Sequence, residues 1–214
     1  GGSYLDQRVQ RSDGTVDLGF VERVTEELAA VLADRSSFIA IVYRSTVPPG
    51  TVDGRLRPIL ERVSGKRADE HFGIGMVPEF LREGSGVDDF FAPPFTVAGV
   101  RDDRTLELVT ATFAAIEQPV HAVSVEAAES IKYACNAFHA VKITFANEIG
   151  RLLSAVDVDT RDVMRVFCDD RHLNISPAYL RPGFSFGGSC LPQDLRALIH
   201  PPRIPAVNLP LLTG

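Results

Sequence analysis

From 18 to 33 the apolar residues recur at helical spacing, through Val21, Val24, Leu28 and Val31, and predict an amphipathic helix. "SFIAIVYRST" follows as a dense Ile/Val run that ends in the polar turn "STVPPGT", which predicts a buried strand. "HFGIGMVPEF" and "FTVAGV" read as two further strands, "DDRTLELVTATFAAIE" as a helix, and "PVHAVS" as a fourth strand. Strands alternating with helices predict an α/β fold with a parallel, doubly wound sheet. Ligands in such sheets lie beyond the carboxyl ends of the strands. "RSTVPPGT" and "VPEFLREG" directly follow strands, so both are candidate binding loops.

After Ser124 the pattern changes. "VEAAESIKYACNAFHAVKITFANEIGRLLSAV" predicts one long helix whose apolar face includes Ile131, Phe138, Phe145, Ile149 and Leu152. Glu129, Lys132, Asn136, His139 and Ile143 stand at i, i+3, i+7, i+10 and i+14, with Asn147 one turn on. All but Ile143 are polar, so one side of the helix carries a hydrogen-bonding stripe. A solvated face would also be polar, but it favours Glu/Lys pairs, whereas short Asn and His side chains suit a ligand wall. A second helix is predicted over 160–168 and a short one after Pro192, before the tail "HPPRIPAVNLPLLTG", whose prolines predict an extended or frayed end. The resulting division is an α/β domain over 1–124, a helical domain over 125–200 and a proline-rich tail over 201–214.

Composition narrows the function. A chain of 214 residues with 45% hydrophobic and 23% charged residues can bury a full core. A net charge of -6 without a basic stripe argues against nucleic acid as a partner, though a few arginines can still hold a phosphorylated metabolite. Cys135, Cys168 and Cys190 lack paired-metal spacing, and Cys135 with His139 at i, i+4 has no further ligand spaced to join it, so no metal site is expected. No apolar run reaches membrane-spanning length and no signal peptide is visible, so the expectation is a cytoplasmic protein with no membrane partner.

"RPGFSFGGSCLPQD", residues 181–194, carries the sharpest chemical signal. Gly187 and Gly188 permit a tight bend that lets a bound molecule approach Cys190. Pro192 suits the first turn of a helix, whose N-terminus would lower a thiol pKa and sharpen a nucleophile. A buried structural cysteine in a Gly-rich loop would read the same way.

Taken in order, "RSTVPPGT", "PEFLREG", "EAAESIKYACNAFHAVKITFANEIG" and "RPGFSFGGSCLPQD" resemble the UDP-glucose/GDP-mannose dehydrogenase family of nucleotide-sugar 6-dehydrogenases, with its GDP-mannose branch nearest. The resemblance runs over about 13–200. It implies part of a Rossmann-like parallel sheet followed by an α-helical dimerisation domain, with a homodimer formed through the long helix over 125–155. It also implies NAD-dependent oxidation of a sugar C6 alcohol to a uronic acid, a product of the kind polysaccharide biosynthesis consumes. By resemblance, Cys190 attacks the C6 aldehyde to give a thiohemiacetal and then a thioester. Lys132 and Asp194 stabilise the alkoxide-like oxygen, and Glu79 with Thr46 positions the hydrolytic water. Glu83, Asn136, His139, Tyr179, Arg181, Phe184 and Gly187 line the nucleotide-sugar pocket, and Asn147 reaches a partner subunit's site. Thr46 and Gln193 fall at cofactor-binding positions.

Three departures qualify what the resemblance implies. The family opens on a strand and a GxGxxG turn, and this chain shows neither, since "GIG" at 73–75 lacks the third glycine; it is expected to start within the NAD-binding domain. Val77 stands where the family has Asn, Gln193 where it has Lys, and Ala178 where the GDP-mannose branch has a larger aromatic residue. The 214 residues are also expected to stop short of the family's third domain. Two other functions therefore stand beside dehydrogenation: cofactor-free acyl transfer or thioester hydrolysis at Cys190, and a non-catalytic dimeric binding module.

Overall fold

The computed structural model describes residues 16–81, 84–116, 118–178, 180 and 210–213. Contacts divide it into two compact units, the first ending at Cys135 and the second starting at Asn136.

The first unit is built on a four-stranded sheet. In chain order come α1 (Gly19–Ala33), β1 (Ala40–Tyr43), a π-helical turn (Val52–Leu56) that runs into α2 (Arg57–Ser64), and β2 (Gly73–Met76). There follow α3 (Gly86–Phe91), β3 (Thr96–Val100), α4 (Asp103–Thr112), β4 (Val120–Val123) and α5 (Val125–Ser154). The strands lie in the order β1-β2-β3-β4. β1 pairs with β2 in parallel from Ala40↔Gly73 to Tyr43↔Met76, and β3 with β4 in parallel from Thr96↔Val120 to Gly99↔Val123. β2 and β3 pair antiparallel at Gly75↔Val100 and Met76↔Gly99. The expected parallel sheet is therefore mostly parallel with one antiparallel joint. Hydropathy periodicity has no sign, so strand direction at that joint was not readable from it.

Both faces of the sheet are covered, as double winding requires. Ile41, Tyr43, Ile74, Met76 and Val97 join Ala29 and Leu32 of α1, Leu60 of α2, and Val125 and Ala128 at the start of α5 in one core. On the other face Ala98 packs with Val109 of α4 and with the partly buried Val42, Val100, Leu106 and Phe113. β2 is buried at every position, as expected of a central strand. Its α4 neighbour starts on Asp102, whose carboxylate accepts from Thr105 N (2.8 Å) and from Thr105 Oγ1 (2.6 Å), an N-cap that satisfies an orphan donor. Gly99 lets α5 pass close over β3, because a Cβ there would stand 2.5 Å from the Ala128 Cβ.

Two helices lie where no helix was expected. In "TVDGRLRPILERVSG", Gly54 and Pro58 read as breakers, yet the π-helical turn runs straight into α2 and Pro58 falls directly after that junction. α3 spans only six residues, too few for a period to show.

In the second unit, α5 continues to Ser154 and α6 (Thr160–Asp169) follows after a short turn. The Phe145 and Phe167 ring centroids lie 5.6 Å apart, and Asp159 caps α6 by accepting from Arg161 N at 2.9 Å. In the tail, 201–209 lie outside the described residues, but α7 (Pro210–Thr213) forms a helical turn rather than an extended end. Pro210 provides its first position, and Leu211 N donates to the buried Glu148 carboxylate at 2.8 Å.

Candidate functional site

β1 and β2 run in parallel, so the segments after Tyr43 and after Met76 leave the sheet at the same edge. These segments contain "RSTVPPGT" and "VPEF", the two loops expected there. Thr46 is half-buried in the first, and Glu79 half-buried in the second.

α5 reaches both loops. It starts against β3, with Val125 and Ala128 buried in the core. One turn on, Lys132 points at the second loop: its Nζ donates to the Glu79 carbonyl oxygen (2.6 Å) and lies 3.4 Å from Glu79 Oε1. The ammonium also lies 5.4 Å from the centroid of the Phe80 ring, which stacks edge-on with Phe95 at 4.9 Å. Glu79 Oε2 accepts from Leu81 N at 2.7 Å, which fixes the carboxylate over its own loop. A lysine and a carboxylate 53 residues apart thus form a charged pair with only 12% and 34% of their side-chain surfaces exposed.

Glu129, three residues before Lys132, is fully buried. Its carboxylate accepts from Gly50 N (2.5 Å) and Val52 N (2.8 Å) in the first loop. Burial pushes its pKa up, and the two backbone N–H bonds offset part of that rise. The polar stripe is therefore not one uniform ligand wall: Glu129 faces backbone, and Lys132 faces Glu79.

Arg44, just past β1, was not expected at the site. Its guanidinium carbon lies 5.6 Å from the Phe90 ring centroid and 5.3 Å from that of Phe113. Burial lowers its pKa, and the field of Glu79 opposes that shift. Among the described residues, Arg44 Nε is a buried side-chain nitrogen without a hydrogen-bond partner. Arg44, Glu79, Phe80, Phe90 and Phe113 border a cavity of about 30 Å³. That volume takes one or two waters, not a nucleotide.

Asn136, His139 and Asn147 lie on α5 in the second unit, and all three are exposed. Cys190, Asp194, Gln193, Glu83, Tyr179, Arg181, Phe184 and Gly187 lie outside the described residues. The structure thus brings Lys132 and Glu79 together and sets Thr46 on the same sheet edge. The signal for Glu129 was present in the sequence: it lies four residues after Val125 and one after Ala128, on the flank of the helix that enters the core. Arg44 opens the candidate binding loop "RSTVPPGT", but no feature of the sequence assigned it a role of its own. Among the described residues, no helix is long and apolar enough to cross a membrane, and no group of three or more His, Cys, Asp or Glu could hold a metal ion.

A mostly parallel sheet wound on both faces, with two loops and a lysine–carboxylate pair gathered at one edge, is a Rossmann-like α/β unit, and a helical unit follows it in the chain. Residues 9–117 match the NAD binding domain of the UDP-glucose/GDP-mannose dehydrogenase family, and residues 126–214 match its central domain. The chain belongs to that family. It is 47% identical over 190 residues to GDP-mannose 6-dehydrogenase of Pseudomonas aeruginosa, a match covering 89% of this chain and 44% of the relative. UDP-glucose 6-dehydrogenase of Haloferax volcanii is 38% identical over 197 residues, covering 89% of this chain and 45% of the relative. A ternary-complex crystal structure of GDP-mannose dehydrogenase from P. aeruginosa superposes with a TM-score of 0.86 at 48% identity, over 88% of this chain and 43% of that one. The chain thus spans less than half the length of these relatives.

Proposed function

We propose that this chain carries the substrate end of an NAD-dependent nucleotide-sugar 6-dehydrogenase that oxidises the C6 alcohol of GDP-mannose to the uronic acid. The observation that carries the proposal is the Lys132–Glu79 pair, with Nζ 2.6 Å from the Glu79 carbonyl and 3.4 Å from its carboxylate. It puts a fixed positive charge beside a carboxylate at the sheet edge where such folds bind their ligands. The similarity to GDP-mannose 6-dehydrogenases supports the choice of sugar nucleotide.

At that edge Thr46 is half-buried in the loop after β1, so its hydroxyl is placed for a dinucleotide laid across the strand ends, whereas the cavity beside Arg44 admits only water. Thr46 would hold the cofactor from this side, with Gln193. NAD, when bound, supplies the hydride acceptor. The chain's own groups do the rest. The Cys190 thiolate adds to the C6 aldehyde and holds that carbon, first as a thiohemiacetal and then as a thioester. Lys132 and Asp194 stabilise the oxygen that gains negative charge. Glu79, with Thr46, takes a proton from the water that cleaves the thioester and returns the thiol. Glu83, Asn136, His139, Tyr179, Arg181, Phe184 and Gly187 hold the nucleotide sugar, and Asn147 serves a neighbouring subunit's site.

A second copy of the chain is the proposed partner, through the helix over 125–155, where Tyr133, Phe138, Val141 and Ile143 are exposed. Cys135 and Cys168 are free thiols, which fits a reducing cytoplasm. The uronic acid product would feed polysaccharide biosynthesis.

Calorimetric titration with GDP-mannose, in the absence and presence of NAD, tests the proposal. Both ligands should bind, each changing the other's affinity. GDP-mannose binding indifferent to NAD would favour cofactor-free chemistry at Cys190, and failure of both ligands to bind would remove the dehydrogenase reading from this chain.

A further inference from the structure

A fully buried carboxylate is costly unless hydrogen bonds replace its water, and Glu129 meets backbone rather than a cation. The two N–H groups it binds are particular ones. Gly50 sits at φ 85°, in left-handed space, and Val52 opens the π-helical turn. Thr51 closes the stretch between them onto Pro48, through its backbone N (3.1 Å) and its hydroxyl (2.5 Å). Whatever holds Gly50 and Val52 therefore also holds Pro48, two residues from Thr46. Asp53 in the same turn is gripped from outside by Arg101, at 2.9 and 2.6 Å. One helical turn along α5, Lys132 holds the Glu79 loop.

We infer that Glu129 is a positioning residue: with Lys132 at i+3, it makes one turn of α5 a clamp that sets the Thr46 loop relative to the Glu79 loop. Three residues of helix rise about 4.5 Å, so the spacing of the two loops follows from helix geometry rather than from the loops themselves. A neutral side chain of the same size cannot do this. Glutamine has one acceptor oxygen and would turn an N–H toward one of the two backbone donors. The functional meaning of the clamp rests on the proposed roles of Thr46 and Glu79.

The test uses all 214 residues, wild type and Glu129→Gln, with amide exchange and backbone resonances read by NMR. In the wild type, Gly50 and Val52 should exchange slowly; free exchange at either would overturn the clamp without any variant. In E129Q their exchange should accelerate by about ten- to a hundredfold. The Thr46 and Val47 resonances should shift or broaden, while Ile74 and Met76 stay as they were. Release confined to Gly50 and Val52 would reduce Glu129 to a local cap and overturn positioning. The same variant should lose about tenfold in NAD affinity while GDP-mannose affinity holds within about twofold; an unchanged NAD affinity after loop release also overturns the inference. A wild-type chain that binds no NAD, yet releases Thr46 in E129Q, would sink the dehydrogenase reading and support the clamp.

Discussion

Tyr43 ends β1 with its phenol in the core, 8% exposed, and shares a 3.0 Å hydrogen bond with Thr25 of α1. Burial pushes its pKa up to about 12. The folded state therefore holds the phenolic proton at pH values where the unfolded chain releases it. This contribution is complete below pH 10 and is lost as the pH rises from about 10 towards 12, by about 3 kcal/mol in all. Urea unfolding at steps between pH 8 and pH 11.5 should show it as a difference between the wild type and Tyr43→Phe. The variant should cost about 1 kcal/mol at pH 8, and the gap should shrink or reverse at the alkaline end. A gap constant with pH would mean that Tyr43 does not titrate in this range. At Lys132 the stake is both stability and chemistry. Lys132→Met leaves the Glu79 carbonyl without its donor and should lower stability by about 1–3 kcal/mol, read in urea. If the proposed function holds, the variant should also lose at least about a hundredfold in turnover with GDP-mannose as substrate. Lys132→Arg keeps the charge but replaces a point ammonium with a planar fork, and should recover stability better than turnover.

Among the elements, the contact of α5 with β3 decides whether Glu129 and Lys132 arrive at their loops. An alanine at Gly99 would drive its Cβ to 2.5 Å from the Ala128 Cβ and 3.0 Å from the Val125 Cα. Gly99→Ala should therefore lift the start of α5 and cost about 1–3 kcal/mol in thermal or urea unfolding. A double variant with Ala128→Gly should recover part of the loss, because it removes the atom that is struck. No recovery would place the damage at the contacts that remain, with the Val125 Cα at 3.0 Å and the Ser124 carbonyl oxygen at 3.1 Å. The elements also show where the sequence could be read and where it could not. The four strands and the long helices stand out because each pairs a dense apolar run or a clean 3.6 period with turn residues at its ends. The helix over 57–64 was hidden by Pro58, which breaks helices in general but here sits directly after the π-helical turn that leads into it. The antiparallel joint between β2 and β3 was hidden because alternation of side chains reads the same in either direction. At the site, the motifs led to Thr46, Glu79 and Lys132. Glu129 stands in the polar stripe read as a ligand wall because it lies three residues before Lys132, but the packing of Val125 and Ala128 on the sheet turns its side chain inward, onto the Gly50 and Val52 amides.

For the whole molecule, the surface left on the long helix argues for a partner. Ile143 is 62% exposed, and Tyr133, Phe138 and Val141 add further apolar surface to α5. A helix carrying that much exposed apolar surface gains by covering it, and a second copy of the same helix offers a matching surface under two-fold symmetry. Sedimentation of the wild type at micromolar concentration should give the mass of a dimer, and Ile143→Glu should give a monomer that keeps the wild-type circular dichroism. A charge at Ile143 breaks such an interface twice, once from each copy, so dissociation should be about a hundredfold easier or more. Two results would count against the helix as the interface: a wild type that sediments as a monomer, or a dimer indifferent to the charge. If dimer formation is lost together with nucleotide-sugar binding, while the Gly50 and Val52 amides remain protected, the partner copy is completing the substrate site; if binding survives in the monomer, each chain holds its ligand alone.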